Sequence, residues 1–449
     1  LDHSSAASDV YKRQILKRIK AKRAATKTKT AVVSMAKKEI PLLAAKSRAS
    51  PQKNRPMFEI SAGALDIYVK KKFVPCYYLI MACTRVNNFL IDLRIYTVKA
   101  LEKIILAHWD KKNPFLSLFF KPLAGLFAIV IRLRRLLYRY GILTQYRLPV
   151  PVIVIGNIQL GGSGKTPVVI YLAQALTQRG MRVGIISRGY GGTTKNPALV
   201  AGDRDNPAAI YGDEPILLAH KSGLPVAVAR QKVKAGEFLL QHFPLDVILS
   251  DDGLQHYALK RDLEIIVLSY TALYQHPSLL PEGPWREGLK RLQEAQFVLI
   301  TKIPLRKTMD KKMVASKLKI PEHKIFFLYN HFGPLYALGH PEKRIPVRDL
   351  PGGPIAAACA IGEPESFFIA LKEKGIPLQA SLSYRDHTLL PLKKLRQRYP
   401  CVIITEKDAV KYSGVDIEGV YVLSMAVEPE NAFLSQLIQK MNNLESTPK

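Results

Sequence analysis

The sequence predicts an α/β fold: a mostly parallel sheet with helices on both faces, followed by a smaller α/β domain. Three observations carry this. Between residues 152 and 301, short runs of β-branched and apolar residues recur at 152–155, 183–186, 225–229, 246–250, 264–268 and 297–301. Helical stretches at 168–178 and 232–242 lie between them, and strands spaced by helices are joined in parallel. The groups able to do chemistry follow the strands, where open α/β sheets place their ligands.

Taken in order, residues 1–56 are rich in Ala, Ser, Lys and Thr and show little periodicity. Residues 1–80 are read as a basic leader, disordered or non-native. The chain has 449 residues, enough for two or three domains, and a net charge of +31. The charge is uneven, since residues 1–150 carry 30 Lys and Arg against 8 Asp and Glu. Residues 81–149 are read as an N-terminal helical, membrane-associated segment. Its informative part is 115–141, FLSLFFKPLAGLFAIVIRLRRLLYRYG, an apolar stretch that ends in Arg132, Arg134, Arg135 and Arg139. Lys121-Pro122 interrupts the run, so it is expected to be too short to span a bilayer. It predicts a helix lying in one leaflet with its cations at the headgroups; the plainer alternative is a core helix with a solvated basic end. Nucleic acid is not indicated, because the aromatics sit in an apolar stripe and not as stacking platforms.

The glycine-rich stretch VIVIGNIQLGGSGKT follows. A buried strand leads into a loop holding Gln159, Leu160, Gly161, Gly162, Ser163 and Gly164, and then Lys165 and Thr166 open a helix. This is the layout of a nucleotide-phosphate cradle, hence of a P-loop NTPase-type sheet. Loop N–H groups and the helix N-terminus face phosphate oxygens, Lys165 neutralises their charge, and Thr166 can ligate Mg²⁺. The standard pattern has glycine where this chain has Gln159, and a glycine-rich turn joining any strand to any helix is the alternative.

Residues 150–331 are assigned to this core, 332–352 to a linker, and 353–449 to the smaller α/β domain. In that domain strands are expected at 355–361, 402–405 and 420–423, and helices at 364–374, 389–398 and 428–441. The four cysteines lack metal-site spacing, so neither a zinc site nor a disulfide framework is expected.

Several groups can do chemistry. Asp251 and Asp252 end an apolar strand, where a P-loop protein places its further Mg²⁺ contact; a capping turn is the alternative. Asp213 and Glu214 lie in a tight acidic turn, GDEP, able to orient a hydroxyl or hold a metal. Arg286 and Glu287 sit in a proline–glycine loop, where Arg286 could grip phosphate or form a surface ion pair. His387 follows Asp386 in a loop of the second domain and could serve as a base, or be structural. The segment TEKDAVK, 405–411, opens a helix whose charges could face the interdomain cleft.

Together and in this order, the stretches RLRRLLYRYG, YRLPVPVIVIGNIQLGGSGKTP, SRGYGG, GDEP, VAVAR, ILSDDGLQHYALKRDLEI, LLPEGPWREGLKRL, the DH of SYRDH and TEKDAVK resemble the tetraacyldisaccharide 4′-kinase family of Gram-negative bacteria. The resemblance covers roughly residues 117–425. It departs locally at the short 269–278 loop and at GEP, 362–364. It implies transfer of the ATP γ-phosphate to the 4′-hydroxyl of a lipid A disaccharide 1-phosphate at the cytoplasmic face of the inner membrane. It also implies an anionic membrane surface as partner, no obligate protein partner, and an active site between two domains. By motif, Lys165 and Thr166 would hold phosphates and Mg²⁺, with Asp251, Asp252 and Glu214 at the metal. Asp213 and His387 would form a dyad preparing the sugar hydroxyl, and Arg286 and Glu287 would line the transfer site. Two other readings are a soluble small-molecule P-loop kinase and a membrane-recruited P-loop ATPase switch with no small-molecule acceptor.

Overall fold

The computed structural model describes residues 104–445 apart from 195, 202–206, 305–306, 363, 387 and 413. The expected leader, 1–80, and His387 lie outside the described residues. After a helical stretch ending at 110, the elements run α1 (Pro114–Arg139), β1 (Val152–Gly156), α2 (Lys165–Thr177), β2 (Val183–Ser187), β3 (Ala198–Leu199), α3 (Pro207–Tyr211), α4 (Asp213–Ser222), β4 (Val226–Val228), α5 (Lys232–His242), β5 (Val247–Asp251), β6 (Leu263–Ser269), β7 (Phe297–Thr301) and α6 (Lys311–Leu318). They continue as β8 (Ile325–Ala337), β9 (His340–Ile345), β10 (Ile355–Cys359), α7 (Pro364–Glu373), β11 (Leu378–Ser383), α8 (Leu392–Arg398), β12 (Cys401–Thr405), α9 (Glu406–Ala409), β13 (Val420–Pro429) and α10 (Asn431–Glu445).

The strands form one sheet in the order β11-β10-β12-β13-β8-β7-β6-β1-β5-β2-β4-β3, with β9 beside β8. The expected strands are present, and β1, β5, β6 and β7 are buried along their whole length, as a parallel sheet covered on both faces requires. The two halves are continuous through β8. Its first residues pair in parallel with β7, and its remainder pairs antiparallel with β13.

The expected linker 332–352 therefore holds the end of β8 and all of β9, an antiparallel pair that its glycines and prolines disguised. The last helix also crosses back. Phe433 of α10 packs edge-on to Phe297 of β7 at 5.4 Å, inside the core that α2 covers.

Helix α1 differs from its expectation. It runs unbroken for 26 residues through Pro122, and on length and composition it could cross a membrane. A stripe at 117, 120, 124, 127–128, 131, 135 and 138 is at least half-covered. Most of the large apolar side chains off this stripe are exposed, among them Phe115, Leu118, Leu126, Ile129 and Leu133. Spacings of three and four put the stripe on one face. Near one end, Ser117 donates to Glu282 at 3.0 Å; near the other, Arg135 pairs with Glu294, and the Tyr138 and Tyr257 rings lie 5.9 Å apart. The helix thus lies along the body and turns its apolar face outward.

Candidate active site

The phosphate loop leaves β1 and enters α2 at Gly164, whose φ of +78° suits glycine and costs other residues strain. Lys165 is the first helical residue, so the helix N-terminus and the ammonium face the same space. Gln159 is not among the described residues with positive φ; its backbone bridges to Trp285, and its N–H donates to Asn157 Oδ1 at 3.0 Å. Position 159 therefore has no need of glycine. Leu160 N–H donates to Pro284 O at 2.7 Å, and Thr301 Oγ1 donates to Ser163 O at 2.6 Å, so both flanks of the loop are braced.

Asp252 sits beyond the end of β5 with φ +46°, a left-handed conformation that aspartate tolerates better than most residues. Lys165 Nζ lies 3.5 Å from its Oδ1, and an Arg286 guanidinium nitrogen 3.5 Å from its Oδ2. Burial pushes the Asp252 carboxyl upward, but Lys165, Arg286 and Lys232 outweigh it and hold it well below the usual range. Asp251 is the reverse. Burial, then the nearby Glu214, raise it to about 7, and its Oδ1 is buried without a hydrogen-bond partner.

That orphaned oxygen is where a divalent cation fits. Among the described residues no three His, Cys, Asp or Glu groups form a metal cage. Magnesium does not require one, since it usually keeps waters and phosphate oxygens beside one or two carboxylates.

Asp213 and Glu214 stand in the first turn of α4, not in a tight turn. There their charges complement the helix dipole, and Gly212 before them is needed because a Cβ would sit 2.1 Å from Tyr190 O. Lys407, at the start of α9, reaches Asp386 Oδ1 at 3.1 Å and Glu214 Oε1 at 4.0 Å. Burial opposes its charge, yet Asp386, Glu214 and Asp213 hold the ammonium above its ordinary range. Lys407 thus ties the second half of the chain to the first turn of α4. A neighbouring pair, Lys221 with Glu406 at 2.7 Å, makes the same crossing. Between the halves lies a cavity of about 340 Å³, lined in part by Lys165, Thr166, Glu214, Lys302, Phe332 and Lys407.

Glu287 is brought near the loop but does not face open space. Its carboxylate accepts from Gln255 Nε2 at 2.9 Å and Tyr257 OH at 2.6 Å, and it pairs with Arg291 at 3.5 Å. It positions the segment after Asp252.

Two cations escaped the sequence reading. Lys232 is buried and donates from Nζ to Asp251 O; burial lowers its pKa to about 8. Arg188, in SRGYGG, is close enough to depress both Lys232 and His256. The available signal was position, because both follow strand ends beside the phosphate loop.

A family profile described as tetraacyldisaccharide-1-P 4′-kinase matches residues 116–442. The tetraacyldisaccharide 4′-kinase of Chromobacterium violaceum is 39% identical over 335 residues, 74% of this chain and 95% of that protein. That of Neisseria meningitidis serogroup C is 38% identical over 351 residues, 77% of this chain and 97% of that protein. A crystal structure of LpxK from Aquifex aeolicus in complex with ATP superposes with a TM-score of 0.59 at 30% identity, covering 71% of this chain and 97% of that one. With both halves of the sheet and the phosphate loop inside the matched region, the chain belongs to the tetraacyldisaccharide-1-P 4′-kinase family.

Proposed function

We propose that this protein transfers the γ-phosphate of ATP to the 4′-hydroxyl of a tetraacyldisaccharide 1-phosphate, a lipid A precursor, giving lipid IVA. The observation that carries it is the meeting of Lys165, Asp252 and Arg286, from three distant parts of the chain, at the mouth of the phosphate loop. Phosphoryl transfer needs positioning and charge neutralisation more than covalent chemistry, and these groups supply both. Gln159 to Thr166 would cradle the nucleotide phosphates. Thr166, Asp251, Asp252 and Glu214 would hold Mg²⁺, which when bound neutralises phosphate charge.

Asp213 with His387 would prepare the acceptor hydroxyl. Asp386, the residue before His387, is held by the same Lys407 that senses Asp213, which supports that pairing. Residues 150–331 would serve as the nucleotide half and 353–449 as the acceptor half.

The exposed apolar face of α1 supports docking at the anionic cytoplasmic surface of the inner membrane. Both ends of the helix touch the body, so side-on immersion in one leaflet accounts for it better than spanning. An ATPase switch without a small-molecule acceptor is not favoured, because the family match runs through both halves.

The test is direct. The full chain, γ-labelled ATP and the disaccharide acceptor in mixed micelles should give a labelled lipid. ATP hydrolysis without any labelled lipid would overturn the proposal.

A further inference from the structure

Glu282 is buried, 5% exposed, and is not one of the residues assigned above to phosphate or metal. Its carboxylate accepts from two side chains of the segment that leads into α1, His108 Nε2 at 3.0 Å and Lys112 Nζ at 2.9 Å, and from one in the helix's first turn, Ser117 Oγ at 3.0 Å. The tautomer is fixed, because His108 Nδ1 already accepts from Asn113 N–H at 3.1 Å, so Nε2 carries the proton. Two further bonds reach the backbone beside it: Lys112 Nζ to Glu282 O at 2.6 Å, and Trp109 Nε1 to Pro281 O at 2.9 Å. A buried carboxylate with three directional donors is satisfied in one geometry only, and loss of one partner leaves the others stranded.

Four residues further on is Arg286, and the intervening loop has no slack. Gly283 N–H donates to Leu279 O at 3.0 Å, Leu280 N–H to Trp285 O at 3.0 Å, and Trp285 N–H to Ser278 O at 3.1 Å. A Cβ on Gly283 would lie 2.6 Å from Ser278 O. Trp285 is 1% exposed. The far side of the loop is bound to the phosphate cradle, with Arg286 N–H donating to Ile158 O at 2.7 Å and Leu160 N–H to Pro284 O at 2.7 Å.

We infer that Glu282 is a positioning residue that couples the seat of the apolar helix to Arg286, so that docking of α1 on a lipid surface sets the guanidinium against the transferring phosphate. This rests on the reading of Arg286 as part of the transfer site. The clamp fixes residues 281–282, the closed loop carries that constraint to 284–286, and the bonds to 158–160 pass it to the cradle. Transition-state stabilisation by a preset cation is sensitive to such sub-ångström placement.

The experiment uses the full chain with vesicles of equal parts phosphatidylethanolamine and phosphatidylglycerol carrying the acceptor. Glu282→Gln keeps the volume but leaves at least one of the three donors without a partner. It should lower kcat about tenfold, leave the KM for ATP within about twofold, and cost nothing further in an Arg286→Ala background. Ser117→Ala, which removes one donor only, should show a smaller loss of the same kind, so the inference does not depend on one variant folding.

A second readout needs no chemistry. Vesicles should slow amide exchange over residues 278–288 in the parent chain and not in Glu282→Gln. Full turnover in both folded variants, losses that multiply in the double variant, or vesicle protection that survives Glu282→Gln would each overturn the inference while leaving the kinase reading intact. Wild-type turnover in Arg286→Ala alone would overturn the reading of the transfer site, and this inference with it.

Discussion

At the scale of the residue, the site is a cluster of cations around one carboxylate. Lys165, Arg286 and Lys232 keep Asp252 charged, while burial, then Glu214, raise Asp251 to about 7. Lys165→Ala and Asp252→Ala should therefore each reduce transfer at least a hundredfold, measured as initial rate at saturating acceptor. His256 illustrates the cost of such a cluster. Burial first, then Lys232 and Arg188, lower its pKa to about 3. Between pH 3 and its ordinary 6.5 the unfolded chain binds a proton that the folded one refuses. Stability should rise with pH across that window and level off above it. His256→Gln should flatten the slope in urea titrations, a difference of roughly 2–4 kcal/mol between the two ends of the window. An unchanged slope would show that the imidazole is protonated in place.

The residue scale is also where the sequence was least explicit. Lys165 and Asp252 are legible because their neighbours form a pattern. Lys232 is not, since a lysine at a helix start reads as solvated until its ammonium is seen buried against Asp251 O.

At the scale of the element, α1 is the informative case. Its body-facing stripe continues on both sides of Pro122, so packing outweighs the one hydrogen bond that proline forfeits. Lys121-Pro122 looks like a break in the sequence, yet the helix runs straight through it. Leu126→Asp and Leu133→Asp fall on the exposed face. Each should weaken partition onto anionic vesicles about tenfold or more, while the melting temperature stays within a few degrees. Sedimentation with vesicles checks the first and thermal unfolding the second.

The buried strands were readable because a central parallel strand must be apolar throughout. β11 was not, since its residues alternate between half-buried and exposed at the sheet edge. β8 and β9 were hidden because Gly333, Pro334, Gly339, Pro341 and Pro346 all read as loop.

At the scale of the whole molecule, the halves share one sheet and exchange ends. β8 belongs to both, and α10 returns from the second half to pack with Phe297 and Phe326 in the first. Separate unfolding of two lobes is hard to reconcile with that interlock. Calorimetry on the full chain should give a single endotherm for residues 105–445, and two well-resolved ones would contradict the shared strand. Lys407→Met removes the ammonium that joins Asp386 to α4. It should slow turnover at least tenfold by freeing the second half to open, with a smaller effect on nucleotide affinity measured by calorimetric titration.

The way α1 is fastened has a further consequence. A protein tethered by one end of a rod can swing about it like a flag. Here both ends of the rod are riveted to the hull, so it serves as a keel. Laid on a bilayer, the enzyme keeps the same side down, and its search for an amphiphilic acceptor becomes planar drifting without tumbling.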